Sequence, residues 1–183
     1  MLDGRDRVYN ILGGRELFEQ AVRASAALCE SAIRDGHRAG LLLYGERLEW
    51  VFPGGGQVHW EKLLQSLAKA ELGFSEAFAD LGNLDARLFP SGSSIIIVSP
   101  FASGDEQALG MLRARGYDVL ALVPVPVVGA SRDQSTAGLA SRFLALEREL
   151  MLQALMSAGV RVLVWDVDHP LRPLVQAVWR RRQ

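Results

Sequence analysis

Cysteine is nearly missing from this chain. Cys29 stands alone in 183 residues, which excludes an internal disulfide and a thiolate metal cage and suits a reducing compartment. Flanked by Ala26, Ala27 and Leu28, it reads as a small buried hydrophobe, not a nucleophile. Histidine is scarce too, and His37, His59 and His169 lie far apart with no ligand spacing. Lys62 and Lys69 are the only lysines, so 18 of the 20 basic residues (20 minus 2) are arginine, a bias that reads as genome composition. No charge of one sign dominates: 20 basic against 21 acidic residues leave a net charge of -1. No global field therefore draws the chain to nucleic acid or to an anionic membrane. Long apolar runs are absent as well. None approaches the ~20 residues needed to span a bilayer, and the amino-terminal stretch is too polar for a signal peptide. These absences together point to a cytoplasmic setting.

What remains is an ordinary globular balance, 49% hydrophobic and 22% charged, which excludes disorder. There is no repeat, linker or low-complexity segment, so residues 1–183 read as one domain. Ile95 to Val98 are four consecutive branched aliphatics bounded by Pro90–Gly92 and Pro100, the pattern of a strand buried on both faces of a parallel sheet. Around it the spacing predicts a polar loop at Gly4–Arg7, a helix from Arg15 to Asp35 stopped by Gly36, and a strand at Ala39–Tyr44. Leu48–Phe52 reads as the antiparallel return of an edge hairpin, followed by a loop at Pro53–Gly56 and a helix from Gln57 to Leu72. Ser75 is placed to cap a short helix to Leu81. Beyond Val98 come a helix opened by Ser103–Glu106, a strand over Tyr117–Val125 broken by Pro124 and Pro126, and a loop to Thr136. A helix from Ala137 to Ala158, with Leu139, Phe143, Leu146, Leu150 and Leu155 on its apolar side, precedes a strand at Val160–Trp165 and a helix from Pro170. Strands alternating with helices of this length imply an α/β fold with a doubly wound, mostly parallel sheet.

Few motifs carry chemistry. Gly54-Gly-Gly56 precedes a helix but lacks the Lys-Ser/Thr of a phosphate loop and the spacing of a dinucleotide site, so a flexible turn is the better reading. Asp166-Val-Asp168-His169 follows a strand and looks like the Asp-x-Asp of haloacid-dehalogenase phosphatases, where a carboxylate attacks with a metal's help. That motif belongs on a first strand with Lys and acids downstream, and neither follows here. The bland reading is a turn in which Asp168 or His169 caps the next helix. Ser91–Ser94 precedes a strand, whereas a nucleophile elbow follows one. No nucleophile–base set is complete, so a non-catalytic protein is expected, with a metal-dependent phosphohydrolase using Asp166 and Asp168 as the alternative.

Several segments taken in order resemble one family: Glu16–Val22, Gly40–Gly45, Glu49–Gly54, Arg87–Pro90 leading to Ile95–Pro100, and Gly159–Asp166 with Pro170-Leu171. Together they resemble the carboxyl-terminal domain of the domain-of-unknown-function fifty-eight family. The resemblance implies a von Willebrand factor A-like fold, and a protein-interaction role in assembly or maturation beside a MoxR-type AAA+ ATPase. It also implies that any membrane attachment comes through segments this chain does not contain.

Such a fold usually carries a metal-ion-dependent adhesion site built from Asp-x-Ser-x-Ser after the first strand, a Thr from a later loop and an Asp after the fourth strand. Those hard oxygens suit Mg²⁺. Here Asp3 matches, Arg5 and Arg7 stand where the serines would be, no Thr lies between Ala39 and Leu88, and Ser99-Pro100 replaces the last acid. A degenerate site with no metal or other cofactor is the expectation. The partner-binding surface is placed at the carboxyl end of the sheet: Asp3, Arg5, Arg7, Gly55, Gln57, Ser99 and Ser103, with arginine suiting an acidic partner. If Asp3 ends the first strand, most of that strand is missing, and the chain reads as truncated relative to the family. The alternative is that Val8–Leu12 substitutes for it.

Overall fold

The computed structural model describes residues 1–10, 14–74, 89–126 and 136–180. Six strands form one sheet: β1 (Leu2–Asp3), β2 (Ala39–Tyr44), β3 (Leu48–Gly54), β4 (Ser94–Val98), β5 (Asp118–Val125) and β6 (Arg161–Asp166). Their order is β3-β2-β1-β4-β5-β6, and every neighbouring pair is parallel except β2 with β3. The helices are α1 (Asp6–Tyr9), α2 (Gly14–Arg34), α3 (Gln57–Ala68), α4 (Asp105–Ala114), α5 (Thr136–Ser157) and α6 (Leu171–Arg180). No helix among the described residues is long and apolar enough to cross a membrane.

Side chains alternate across each strand, so the aliphatic runs supply two cores at once. Leu41, Leu43, Val98, Leu120 and Leu122 pack against Leu17, Phe18 and Leu28 of α2 and Val175 of α6. Leu42, Ile95, Ile97, Val119 and Ala121 face the other way, against Leu109 and Leu112 of α4 and Met151 and Leu155 of α5. The sheet is thus covered on both sides, which is why β5 shows six consecutive buried residues from Val119 to Pro124. Gly36, at φ +81, ends α2 in the left-handed conformation that glycine adopts most easily.

Several expectations change. Pro124 does not break β5, which runs on to Val125. Val98 of β4 pairs with Leu122 and ends the ladder there, so the donor that proline lacks has no partner to lose. Strand β3 likewise continues through Pro53 to Gly54, because it is the edge of the sheet. Helix α3 stops at Ala68, and the segment after it turns back so that Gly73 bridges to Arg5. On α5 the expected apolar stripe divides: Leu155 is buried, beside Met151, while Phe143, Leu146 and Leu150 are exposed. Periodicity marks a face of a helix but not which face the sheet receives. The short helix expected at Ser75–Leu81 and the loop expected from Val127 fall mostly outside the described residues.

The amino terminus holds the largest departure. Strand β1 is two residues long and lies centrally, Leu2 opposite Leu43 on one side and Val98 on the other. Val8 does not continue a strand in its place. Asp6–Tyr9 is helical, and Val8 and Tyr9 are both buried, Tyr9 edge-on to Phe18 at 5.3 Å between ring centroids. Consecutive residues sharing one core suit a helical turn better than a strand, whose neighbours face opposite ways.

Candidate functional site

Strand order reverses direction between β1 and β4: the chain leaves β1 toward β2 on one side, and β4 lies on the other. The crevice beyond the carboxyl ends of two such strands is where open α/β sheets place their ligand sites. Asp3 ends β1, and Ser99 follows β4, so both side chains stand in that crevice. Asp3, Arg5, Ser99 and Asp105 are all buried, Arg5 at 1% exposure.

They form one hydrogen-bonded cluster. The Arg5 backbone N–H donates to Asp3 Oδ1 at 2.9 Å, and its side chain folds back over the same carboxylate. Nε lies 3.1 Å from both Asp3 oxygens and Nη2 lies 2.7 Å from Oδ2. The far side of the fork reaches Asp105 at the start of α4, Nη1 to Oδ1 at 2.9 Å and Nη2 to Oδ2 at 2.6 Å. The Ser99 hydroxyl donates to Asp3 Oδ2 at 2.6 Å and accepts from the Phe101 N–H at 2.8 Å. The Ala102 N–H donates to Asp105 Oδ2 at 2.8 Å. Phe101, with φ +57, is the one non-glycine residue of the described set in the left-handed region, so this turn is held at some cost in strain to aim Ser99.

The electrostatics follow from burial. Desolvation pushes the Asp3 carboxyl above its ordinary range, against the hydrogen bonds from Arg5 and Ser99. For Arg5, burial opposes the charge, but the hydrogen bonds to Asp105 and Asp3 and their negative charges together outweigh it and raise the pKa further. The guanidinium is therefore a permanent cation fixed between two carboxylates, a forked pairing that lysine cannot reproduce.

A solved structure shares the fold. An aerotolerance-related membrane protein from Bacteroides fragilis, carrying several mutations to serine, superposes with a TM-score of 0.61 over 98% of this chain and 94% of that chain, at 17% identity. The fold is von Willebrand factor A-like. No protein-family model matches the sequence, and no curated protein matches it.

In this von Willebrand A-like fold the crevice offers oxygens of the kind a divalent cation takes, from Asp3, Ser99 and Asp105. The donor set does not fit a metal all the same. Nε, Nη1 and Nη2 of Arg5 sit on those oxygens, and an ion there would have to displace a buried, doubly paired guanidinium. The sequence pattern places Arg5 at the position of a serine ligand, and the side chain turns inward as the cation itself.

The remaining predicted residues divide. Arg7 and Ser103 are exposed beside the crevice. Gly55 and Gln57 are exposed at the opposite end of the sheet, since β3 runs antiparallel and its Gly54 pairs with Ala39 at the start of β2. They cannot share a surface with Arg7. Asp3, Arg5 and Ser99 are buried. Asp105 was read only as a helix-opening acid; no local spacing ties it to an arginine 100 positions earlier. Gly73, which bridges to Arg5, carries no chemical signal in the sequence at all.

Asp166 and Asp168 lie at the end of β6, the outer strand. Asp166 Oδ2 meets His169 Nδ1 at 2.9 Å and Asp166 Oδ1 accepts the Asp168 N–H at 3.0 Å, which is a closed turn. Among the described residues no three His, Cys, Asp or Glu side chains are grouped to hold a metal. The other histidines are separate, His59 Nε2 lying 2.7 Å from the Ala39 carbonyl oxygen.

Proposed function

We propose that this chain is a non-catalytic protein-interaction module whose crevice is closed by an internal cation. The observation that carries the reading is Arg5: its fork is fully committed to Asp3 and Asp105, so the crevice holds the loops in shape and leaves no open coordination position for a partner's carboxylate. Recognition then falls to the exposed rim, where Arg7, Ser103 and the β2–β3 turn at Glu46-Arg47 stand. Arginines on that rim favour an acidic surface on the partner. A MoxR-type AAA+ ATPase, acting in assembly or maturation in the cytoplasm, is the partner proposed.

Binding of such an ATPase from the same organism is expected to persist in excess EDTA and to weaken about tenfold or more in Arg7→Glu/Arg47→Glu, with association rate and salt dependence most affected. Calorimetry on the two proteins checks this; capture abolished by EDTA, or unchanged by the double reversal, rejects it. Mg²⁺ or Mn²⁺ is expected to leave the melting temperature of the wild type where Na⁺ and Ca²⁺ leave it. A rise specific to Mg²⁺ or Mn²⁺ means the crevice takes a metal after all.

A further inference from the structure

Helix α5 is apolar on two sides. Met151 and Leu155 are buried in the core shared with α4 and the sheet. On the side turned away from that core, Phe143, Leu146 and Leu150 are 61%, 57% and 57% exposed. A single exposed leucine is ordinary, but three large apolar residues on one stripe of one helix mark a contact surface. A helix that is apolar on more than its core face is one that something else covers.

The spacing names the kind of cover. Phe143, Leu146 and Leu150 follow one another by three and then four residues, which are the a, d and a positions of a heptad seam. Such a seam takes a second helix along its length. Gln153 and Ser157, the next positions in the same register, are polar and exposed, so the apolar seam ends before them. Arg142 and Glu149 occupy successive g positions beside the seam, and both are exposed. The 3.5 Å contact of Gln153 Nε2 with Glu149 Oε1 is too long to hold that carboxylate in place.

Those flanking charges fit a copy of the same helix. When two heptad seams run antiparallel, each a position faces a d position of the other helix. Phe143 of each copy then meets Leu146 of the other, and Leu150 falls opposite position 139, a leucine by sequence. The same register sets Arg142 of each copy beside Glu149 of the other, so opposite charges meet at both ends of the contact. A two-fold axis demands that self-complementarity. A parallel pair would instead stack Phe143 on Phe143, whereas the antiparallel layers alternate a ring with a leucine and fill the seam better.

We propose that the exposed seam of α5 binds a second copy of this chain, helix against antiparallel helix, about a two-fold axis level with Leu144 and Ala145. The contact uses none of the rim residues Arg7, Ser103, Glu46 and Arg47, so it stands or falls apart from the partner proposed for the rim. One helix pair is a small interface, and a dimer with a Kd of about 10–100 μM is expected.

Analytical ultracentrifugation of the full chain from about 1 to 500 μM should show monomer passing to dimer by mass action. Leu146→Gln should raise the Kd about tenfold or more. Because Leu146 lies outside the core, the melting temperature of that variant at low concentration should match the wild type. The charges test the register. Arg142→Glu and Glu149→Arg each set like charges together across the axis, and each should weaken self-association about tenfold. Mixed in equal amounts, the two variants match again and should form a mixed dimer as tight as the wild type. A chain that stays monomeric throughout, or a dimer indifferent to Leu146→Gln, overturns the proposal. So does rescue of Arg142→Glu by Glu147→Arg in place of the Glu149→Arg chain, which would make the helices parallel. Co-sedimentation of the wild type with phosphatidylcholine vesicles, lost in Leu146→Gln, also overturns it by making a membrane the occupant.

Discussion

Arg5→Met is expected to cost about 3–5 kcal/mol of stability, because it leaves two buried carboxylates facing each other with no cation between them. For a chain of this length that lowers the melting temperature by roughly 10 °C or more. Methionine nearly conserves the volume, so the loss reports charge and hydrogen bonding more than packing. Arg5→Lys keeps the charge but has no planar fork to span Asp3 and Asp105, and falls between the two. The pH dependence separates the causes. A buried carboxyl whose folded pKa lies above its unfolded one destabilises the fold only where it must ionise. Its penalty is absent at low pH and grows as pH rises from the ordinary aspartate range through the raised folded value. Asp3 already has that sign in the wild type, and removing Arg5 takes away the partner that opposes it. The deficit of Arg5→Met relative to wild type should therefore shrink between about pH 8 and about pH 5, as read by denaturant unfolding. A deficit constant across that range assigns the loss to packing and rejects the ion cluster. Arg5→Ser goes further: it clears the guanidinium from between Asp3 and Asp105 and adds a hydroxyl, so Mn²⁺ or Mg²⁺ should stabilise this variant where it leaves the wild type unchanged.

Much of the frame was legible because burial writes itself into composition. Ile95–Val98 and Val119–Val123 have no polar alternation, and only a strand covered on both faces tolerates that. The paired apolar positions of α2, stopped by Gly36, gave that helix to within a residue at each end. The crevice is legible for the same reason, since Ser99 follows the buried strand and Asp3 ends the short one. What could not be read was direction. An arginine two residues after Asp3 has the same sequence signature whether it points to solvent or into the crevice, and only Asp105, brought in by the helix after β4, decides it. Gly55 and Gln57 were put at the wrong end for a related reason: the hairpin was recognised, but reversing β3 carries its following loop to the other edge of the sheet. On α5 the stripe reaches the core only at Leu155, while Phe143, Leu146 and Leu150 face outward. Local pattern fixes elements and faces; the pairing of distant polar groups is a property of the assembled layers.

Gly73 shows how a residue without chemistry holds the site. Its N–H donates to the Gly4 carbonyl oxygen at 2.9 Å and its own carbonyl oxygen accepts from Asp6 N–H at 3.0 Å, so the chain after α3 grips the segment on either side of Arg5. The grip requires contact too close for a side chain: a Cβ on Gly73 would lie 2.4 Å from both the Cα and the N of Glu46. Those are backbone atoms in the middle of the β2–β3 turn and cannot swing aside. Gly73→Ala is therefore expected to push this segment off Gly4–Asp6, losing both hydrogen bonds and loosening Arg5, at about 3 kcal/mol. Gly36→Ala is the matched control, for it meets nothing within 4 Å and suffers only the strain of alanine at φ +81, about 1 kcal/mol. Thermal unfolding should rank the two in that order, and amide exchange should speed at Asp6 and Gly73 in the first variant but not in the second. Equal melting temperatures for the two would mean that the segment after α3 yields freely, and that Arg5 is held by its carboxylates alone.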